Sequence, residues 1–288
     1  MTSEASNLSL AERAKRYSKQ KSLGQNFLVD EYIHDSIIKV SDLSKDDIVL
    51  EIGAGIGFLT ERLIPEVKHL YAIELDSNAC THLEILSKLN SNFSYKNADV
   101  LQTNLKDLIP EEHLQPGKIK VVANIPYQIT TKILIHLLGE IGFPSENKEY
   151  ISDIYILVQK EYAERLSAEP GVKDYSAVTL FANYYTVPEY LFTVEAECFQ
   201  PAPKVTSAFI KLALRDKPRV EAPNPKQLRR FIKAIFANRR KVLSNSLKAA
   251  GYSKEEIDFL DLDPKLRGET LTLEQINELV IKLDNKDA

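Results

Sequence analysis

Short runs of β-branched and aromatic residues alternate with helical patterns between Asp47 and about Lys160. The segments between the runs, such as 77–89, place apolar residues at intervals of three and four. This strand–helix–strand alternation predicts right-handed βαβ units, an α/β fold and a parallel sheet covered by helices on both faces. The predicted strands are DIVLEIG (47–53), HLYAIEL (69–75), NFSYKN (92–97), KIKVVANI (118–125) and DIYILVQ (153–159).

Two later runs, EYLFTVEA (189–196) and SAFIKLAL (207–214), are joined by a turn-rich stretch that contains Pro201 and Pro203. Runs of this length, joined without a crossover helix, predict an antiparallel pair of strands. We expect this pair to close one edge of the sheet.

The strand pattern disappears after residues 215–225, a stretch dense in proline and charge that we interpret as a linker. Beyond it, apolar residues lie on one stripe at helical spacing, with basic residues mostly on the other faces. We therefore expect a polar arm over residues 1–20 that ends in a basic cluster, an α/β domain over 21–214, and a small helical domain over 215–288. The apolar stripe consists of Leu228, Phe231, Ile232, Ile235 and Phe236.

Charge is distributed unevenly along the chain. The formal net charge of the 288 residues is −4, yet residues 211–250 hold twelve lysines and arginines against only Asp216 and Glu221. A basic segment in a mildly acidic chain indicates either a polyanion-binding face or a solvated helix surface. Charge alone does not separate the two interpretations.

Cysteine and histidine spacing gives no sign of a metal site or a disulfide framework. Cys80 and Cys198 are far apart and outside any CxxC pattern, which is typical of a reducing cytosol. No apolar run approaches the ~20 residues that cross a bilayer, and the N-terminus lacks the apolar stretch of a secretory signal. We expect a cytoplasmic protein with no metal and no membrane segment. The five histidines, none in triad or ligand spacing, are His34, His69, His82, His113 and His136.

A glycine-rich turn, EIGAGIG (51–57), follows the first predicted strand. Such a turn lets a ligand approach the backbone closely, although it also serves plain strand-to-helix packing. Glu74 ends the second strand, where a carboxylate can accept both hydroxyls of a ribose or simply be solvated. Asp99 follows the third strand and can accept a hydrogen bond from an adenine amine or cap a turn. Together these residues indicate a nucleotide-type cofactor.

The spacing of the glycines disfavours two other cofactor classes. The pattern is GxGxG rather than the dinucleotide-binding GxGxxG, and no GKS or GKT follows the turn, so that a phosphate-cradling loop is absent. The site therefore suits a nucleoside-type cofactor without phosphates.

The fourth predicted strand ends at Asn124, Ile125, Pro126 and Tyr127. Strand carboxyl ends form the ligand crevice of open parallel sheets, so these residues are expected to share the cleft with the glycine turn. The Asn124 side chain and the Pro126 carbonyl offer two acceptors for an aromatic amine, and Tyr127 offers a face for a base. Two such acceptors can aim the nitrogen lone pair at a sulfonium methyl without a strong base. Alone, the tetrad is also compatible with an ordinary turn.

These motifs, taken together, resemble the ribosomal RNA adenine N6,N6-dimethyltransferase family over about residues 21–250. The family modifies two adjacent adenines near the 3′ end of small-subunit (16S) rRNA, in small-subunit maturation. The matching segments are KSLGQNFLVD (21–30), EIGAGIGFLT (51–60), AIELD (72–76), NADVL (97–101), NIPYQI (124–129), LVQKEYAERL (157–166), FQPAPKVTSAF (199–209) and FANRRKVLSNSL (236–247).

The resemblance implies a class I (Rossmann-like) methyltransferase sheet with a small C-terminal helical domain, and S-adenosyl-L-methionine as cofactor. It implies that Asn26 and Leu28 close over the methionine end and that Gly53 contacts the cofactor backbone. It further implies that Glu74 binds the ribose and Asp99 the cofactor adenine.

For the target base, the resemblance implies that Asn124 serves both cofactor and amine, with Tyr127 and Phe199 stacking on an extruded adenine. We expect a monomer acting on small-subunit rRNA, within a pre-assembled subunit. The basic residues expected to hold RNA phosphates are Arg229, Arg230, Arg239, Arg240 and Lys241.

The sequence departs from the usual pattern of the family at two positions. Ala123 stands where the family usually has glycine, and Ile125 where leucine is commoner.

The NIPY tetrad also occurs in related methylases of large-subunit rRNA that confer macrolide resistance, although FANRRKVLSNSL and the helical tail favour the small-subunit enzymes. A DNA adenine methylase, a protein glutamine methylase and a non-catalytic ribosome-assembly factor on the same fold are further alternatives.

Overall fold

The computed structural model describes residues 8–17, 25–239 and 241–286. Its strands are β1 (Phe27–Leu28), β2 (Ile48–Ile52), β3 (His69–Glu74), β4 (Phe93–Asn97), β5 (Ile119–Asn124), β6 (Gly139–Glu140), β7 (Phe143–Pro144), β8 (Ile151–Gln159), β9 (Thr186–Val194), β10 (Phe199–Gln200) and β11 (Ser207–Leu214). Its helices are α1 (Leu10–Arg16), α2 (Glu31–Val40), α3 (Phe58–Leu63), α4 (Ser77–Leu89), α5 (Thr130–Leu138), α6 (Lys160–Leu166), α7 (Ala177–Tyr185), α8 (Pro225–Ala237), α9 (Leu243–Ala249), α10 (Lys254–Leu260) and α11 (Leu273–Lys286).

The main sheet has the strand order β4-β3-β2-β5-β8-β11-β9 across the described residues. The first five of these strands pair in parallel, and β11 pairs antiparallel with both β8 and β9. All five residues of β2 are buried, as expected for a parallel strand with helices on both faces. The α/β fold and the antiparallel pair at the sheet edge are therefore confirmed.

The hydrophobic core runs without a break from the sheet into the C-terminal helices. One cluster of buried side chains joins Ile119 and Ile154 in the sheet to Phe231 in α8 and Ile276 in α11. The stretch over 215–225 is held to the sheet domain rather than loose, since the Arg215 N–H donates to the Tyr185 carbonyl. The C-terminal region is helical as expected, whereas the domain boundaries stay a prediction.

Part of the expected polar arm is a capped helix. Ser9 and Glu12 form a capping box at the start of α1, and Ala14 is completely buried. Arg13 pairs with Glu61 at 2.7 Å, and the Tyr17 hydroxyl donates to Asp76 at 2.7 Å. These contacts hold α1 against the segments that follow β2 and β3. The arm's remaining residues, 1–7 and 18–20, lie outside the described part of the chain.

The sheet topology sets the position of the candidate site. Because β2, β3, β4, β5 and β8 are parallel, their carboxyl ends meet at one edge. The glycine turn, Glu74, Asp99 and Asn124 all lie at or just after those ends. None of the described helices is long and apolar enough to cross a membrane.

His34 on α2 is a buried titratable group. Its side chain is 1% exposed, and neither ring nitrogen has a hydrogen-bond partner among the described residues. Burial, and next the nearby Arg62, lower the pKa of His34 from 6.5 to about 4. The imidazole is therefore neutral in the folded protein near pH 7.

We predict that His34 makes the protein less stable as the pH falls from about 6.5 to 4. The unfolded chain binds the extra proton in this window and the folded chain does not, so that the free energy of unfolding drops by about 2 to 3 kcal/mol between pH 7 and pH 4.5. Urea unfolding of wild type and His34→Leu over this range measures the effect, with His82→Leu, at a partly exposed position, as the control. Equal pH slopes in wild type and His34→Leu contradict the prediction.

Candidate active site

A cavity of about 510 Å³ opens at the carboxyl edge of the parallel strands. Every residue that the sequence assigned to a cofactor lines this cavity, together with Pro126 and Tyr127 from the NIPY tetrad. The cofactor residues are Asn26, Leu28, Gly53, Glu74, Asp99 and Asn124. The fold thus brings together five segments that are distant in sequence.

The turn after β2 requires glycine. Gly53, Gly55 and Gly57 have φ angles of 75°, 56° and 89°, a region that is unfavourable for residues with a Cβ. A Cβ on Gly55 would lie 2.9 Å from the Phe27 ring, and one on Gly53 would lie 3.5 Å from the backbone oxygen of Asn124. The turn therefore lies close beside the NIPY tetrad, and a side chain at Gly53 would contact it.

Glu74 braces the glycine turn as well as facing the cavity. One of its carboxylate oxygens accepts the Gly55 N–H at 2.7 Å and the other accepts the Asp76 N–H at 2.8 Å. Burial raises the pKa of Glu74, while these two backbone donors act to lower it. Each oxygen retains a lone pair for a ligand hydroxyl. Glu74 is not the solvated strand-end charge that the sequence left open.

Glu51 lines the cavity, although no role was predicted for it from the sequence. Its side chain is 2% exposed, and the Thr60 hydroxyl donates to it at 2.6 Å. Burial raises the pKa of Glu51 to about 8. A buried carboxyl of this kind favours a cationic ligand, because a positive charge stabilises its ionised form. The available signal was an acidic residue inside the otherwise apolar strand IVLEI.

Asp99 caps a turn and also lines the cavity. One of its carboxylate oxygens accepts the Leu101 N–H at 2.9 Å and so caps the short turn after β4. The residue also lines the cavity next to Ala98 and Val100. It can therefore meet a ligand amine there.

All four residues of the NIPY tetrad line the cavity. The Asn124 side-chain nitrogen donates to the Asn26 carbonyl at 3.4 Å, which leaves the amide oxygen as a free acceptor among the described residues. The Pro126 carbonyl already accepts the Ile129 N–H at 3.1 Å and keeps one lone pair. The Tyr127 hydroxyl lies 2.5 Å from the Ser207 hydroxyl, which fixes one end of the ring.

Phe199 lies in the protein core. It is 2% exposed and packs beside Leu28, its neighbour in the antiparallel β1–β10 pair. It does not line the cavity described above. Its role in stacking a base stays a prediction, which requires the segment around it to open.

The basic residues expected to hold RNA fall into two groups. Arg229 forms an ion pair with Glu140, and Arg239 pairs with Glu269 at 2.5 Å and also donates to the Val172 carbonyl. By contrast, Arg230 is exposed and lies over the Tyr252 ring at 4.5 Å. Lys241 is exposed and has no ion-pair partner among the described residues. Arg240 lies outside the described residues.

Metal ligands are not grouped in the described ranges, which contain no cluster of three or more His, Cys, Asp or Glu side chains. Cys80 and Cys198 are both free thiols. The acidic residues of the cavity are Glu51, Glu74 and Asp99. Their carboxyls fit a ligand that carries positive charge, hydroxyls and an amine, as S-adenosylmethionine does.

Sequence comparison identifies close relatives. The chain is 39% identical over 264 residues to the ribosomal RNA small subunit methyltransferase A of Caldanaerobacter subterraneus subsp. tengcongensis, covering 90% of this chain and 95% of that protein. It is 40% identical over 263 residues to the protein of the same name from Clostridium botulinum strain Loch Maree, covering 90% of this chain and 92% of that protein.

Structural comparison gives the same fold. A dimethyladenosine transferase from Plasmodium falciparum matches with a TM-score of 0.74 at 24% identity, over 90% of this chain and 97% of that one. The 23S rRNA methyltransferase ErmE matches with a TM-score of 0.67 at 25% identity, over 90% of this chain and 100% of that one.

The family model described as ribosomal RNA adenine dimethylase matches residues 16–285, which is most of the chain. The matched range includes the glycine turn, the NIPY tetrad and the C-terminal helices. The chain therefore belongs to the ribosomal RNA adenine dimethylase family and is an S-adenosylmethionine-dependent enzyme.

Proposed function

We propose that this protein transfers methyl groups from S-adenosylmethionine to the N6 amines of two adjacent adenosines near the 3′ end of small-subunit rRNA. One observation carries the proposal: Gly53 and Glu74, which suit a nucleoside cofactor, share a cavity with Asn124 and Tyr127, which suit an aromatic amine. The names of the relatives at 39% and 40% identity support the small subunit as the source of the RNA.

The cofactor supplies an electrophilic methyl group on a sulfonium. Glu51 pairs with positive charge at the methionine end, where Asn26 and Leu28 also line the cavity. Glu74 accepts the ribose hydroxyls, and Asp99 accepts the adenine amine. These residues would bind and orient the cofactor, whose methyl group would be the one transferred.

The chain activates the target amine by holding it. The Asn124 amide oxygen and the Pro126 carbonyl accept its two N–H groups, so that the nitrogen lone pair points towards the methyl group. No strong base is required, because the nitrogen becomes acidic once it carries the new methyl. This agrees with a cavity in which the carboxyls of the described residues are already assigned to the cofactor.

The target adenine leaves its stack to reach the cavity. Tyr127, which is half-buried at the cavity wall, offers one ring face to the extruded base. Unpaired or loop RNA makes this extrusion less costly, since no base pair is broken. Phe199 contributes a second aromatic face only if β10 moves away from β1.

Arg230 and Lys241 are the cations best placed to hold phosphates, because they are exposed and no described carboxylate pairs with them. Arg229 and Arg239 act mainly within the fold, through their ion pairs. We also propose that the protein acts as a monomer in the cytoplasm, without a metal, on RNA packaged in a pre-assembled small subunit.

A large-subunit target is the second candidate, favoured by the likeness to ErmE. The identity to the small-subunit relatives is higher, at 39% to 40% against 25%. A purely structural role in ribosome assembly is disfavoured by the intact acceptors at Asn124 and Pro126.

Labelled methyl transfer into unmethylated small subunits, followed by mapping of the modified nucleotides, tests the proposal. Labelling confined to large-subunit RNA overturns it.

Asn124→Ala is expected to reduce methyl transfer by about 100-fold or more, because it removes an acceptor that acts on the reacting amine. Binding of RNA should largely persist in the same variant. Single-turnover transfer and filter binding measure the two properties. Asn245→Ala, on the surface of α9, is the matched control. Retained turnover in Asn124→Ala is the result that excludes this role.

We predict that cofactor binding near pH 7 releases about one proton per site from Glu51. The free carboxyl is mostly protonated, since burial raises its pKa to about 8, and a bound cation lowers that pKa again. Calorimetry in two buffers of different ionisation enthalpy counts the protons. Glu51→Gln should abolish the release and weaken binding, whereas Glu111→Gln at an exposed position should change neither. A release that persists in Glu51→Gln refutes the assignment.

The exposed and the ion-paired basic residues should affect the salt dependence of RNA affinity differently. Replacing Arg230 or Lys241 by Gln is expected to flatten the dependence of log RNA affinity on log salt by about 1 for each phosphate that is no longer neutralised. Replacing Arg239 by Gln is expected to lower the melting temperature instead, because its ion pair and its bond to the Val172 carbonyl hold the fold. Identical salt slopes for wild type and the Arg230→Gln, Lys241→Gln double variant rule out these phosphate-binding roles.

A further inference from the structure

Tyr127 is held at both ends of its side chain. Its backbone follows β5, whereas its hydroxyl meets Ser207 Oγ, at the first residue of β11, at 2.5 Å. Strands β5 and β11 both pair with β8 and not with each other. The Tyr127 side chain therefore spans the carboxyl end of β8.

Ser207 is a rigid anchor for this bond. Its side chain is completely buried, and its backbone stands opposite Gln159 on β8 and Val194 on β9. The adjacent Thr206 carbonyl accepts the Lys160 N–H at 3.0 Å, which fixes the strand end further. A hydroxyl held by two neighbouring strands cannot follow the tyrosine ring if the ring turns.

We propose that Ser207 is a positioning residue for methyl transfer, which locks the Tyr127 ring in the plane on which the target adenine stacks. This inference rests on the proposed function of the cavity. A ring attached only at its backbone can swing about two side-chain torsions, whereas the hydroxyl contact leaves one orientation. A fixed platform holds the amine in line with the methyl group, and an error of about 1 Å there can cost ~100-fold in rate.

The hydrogen bond between the Ser207 and Tyr127 hydroxyls, which we call the lock, predicts a pattern of rates that a loss of stability alone does not produce. Tyr127→Phe keeps the stacking ring and removes only the hydroxyl, whereas Ser207→Ala removes the partner. Each variant should lower kcat by about 5- to 30-fold, and the double variant should lose no more than either single one, because both remove the same bond. The affinity for S-adenosylmethionine should stay within about twofold, since neither side chain is assigned to the cofactor.

Single-turnover methylation of unmethylated small subunits, with cofactor affinity measured separately, tests the lock. Tyr190→Phe is the matched control, because Tyr190 and Thr193 form a similar hydroxyl pair at 2.7 Å on the edge strand β9. An RNA carrying 2-aminopurine at the target position reports stacking through fluorescence quenching, which should weaken in Tyr127→Phe and Ser207→Ala. Ser207→Thr, which keeps a hydroxyl, should recover part of the rate.

The outcomes are distinct. Equal, non-additive losses in kcat with weaker quenching support the lock. Wild-type rates in Tyr127→Phe, or losses that add in the double variant, overturn it. Tyr127→Phe leaves the buried strand untouched, so the test stands even if the Ser207 variants fail to fold. Absence of methyl transfer by the wild-type protein counts against the proposed function itself rather than against the lock.

Discussion

The close approach of the glycine turn to the NIPY tetrad is the constraint on which the site depends. Strands β2 and β5 are parallel neighbours, and a Cβ on Gly53 would lie 3.5 Å from the Asn124 carbonyl oxygen. The turn proposed to hold the cofactor and the tetrad proposed to hold the amine therefore lie side by side. Close packing of the sheet fixes their separation.

Burial gives the cavity its chemical preference. Glu51 and Glu74 are withdrawn from water, which raises the pKa of both carboxyls. Burying an ionised carboxylate costs free energy. A ligand that brings positive charge and hydroxyl donors would offset that cost. The same residues brace the fold, since Glu74 bonds to Gly55 and Glu51 to Thr60. The carboxyls proposed to select the cofactor thus also hold the glycine turn and the strand before it in place.

Part of the basic C-terminal segment has a structural role. Ion pairs with Glu140 and Glu269 tie Arg229 and Arg239 to other parts of the chain. The buried cluster beneath α8 is continuous with that of the sheet.

The sequence by itself determined the order of strands and helices along the chain, the α/β class and the site at the strand ends. Runs such as IVLEI have few alternatives to a buried parallel strand, and the carboxyl ends of parallel strands meet at one edge. Only the tertiary structure decided that Phe199 is buried beside Leu28, that Arg239 is paired, that Glu51 faces the cavity and that Ser207 holds Tyr127. These depend on contacts between residues far apart in sequence, such as the 80-residue separation of Tyr127 and Ser207, and local periodicity carries no information about them.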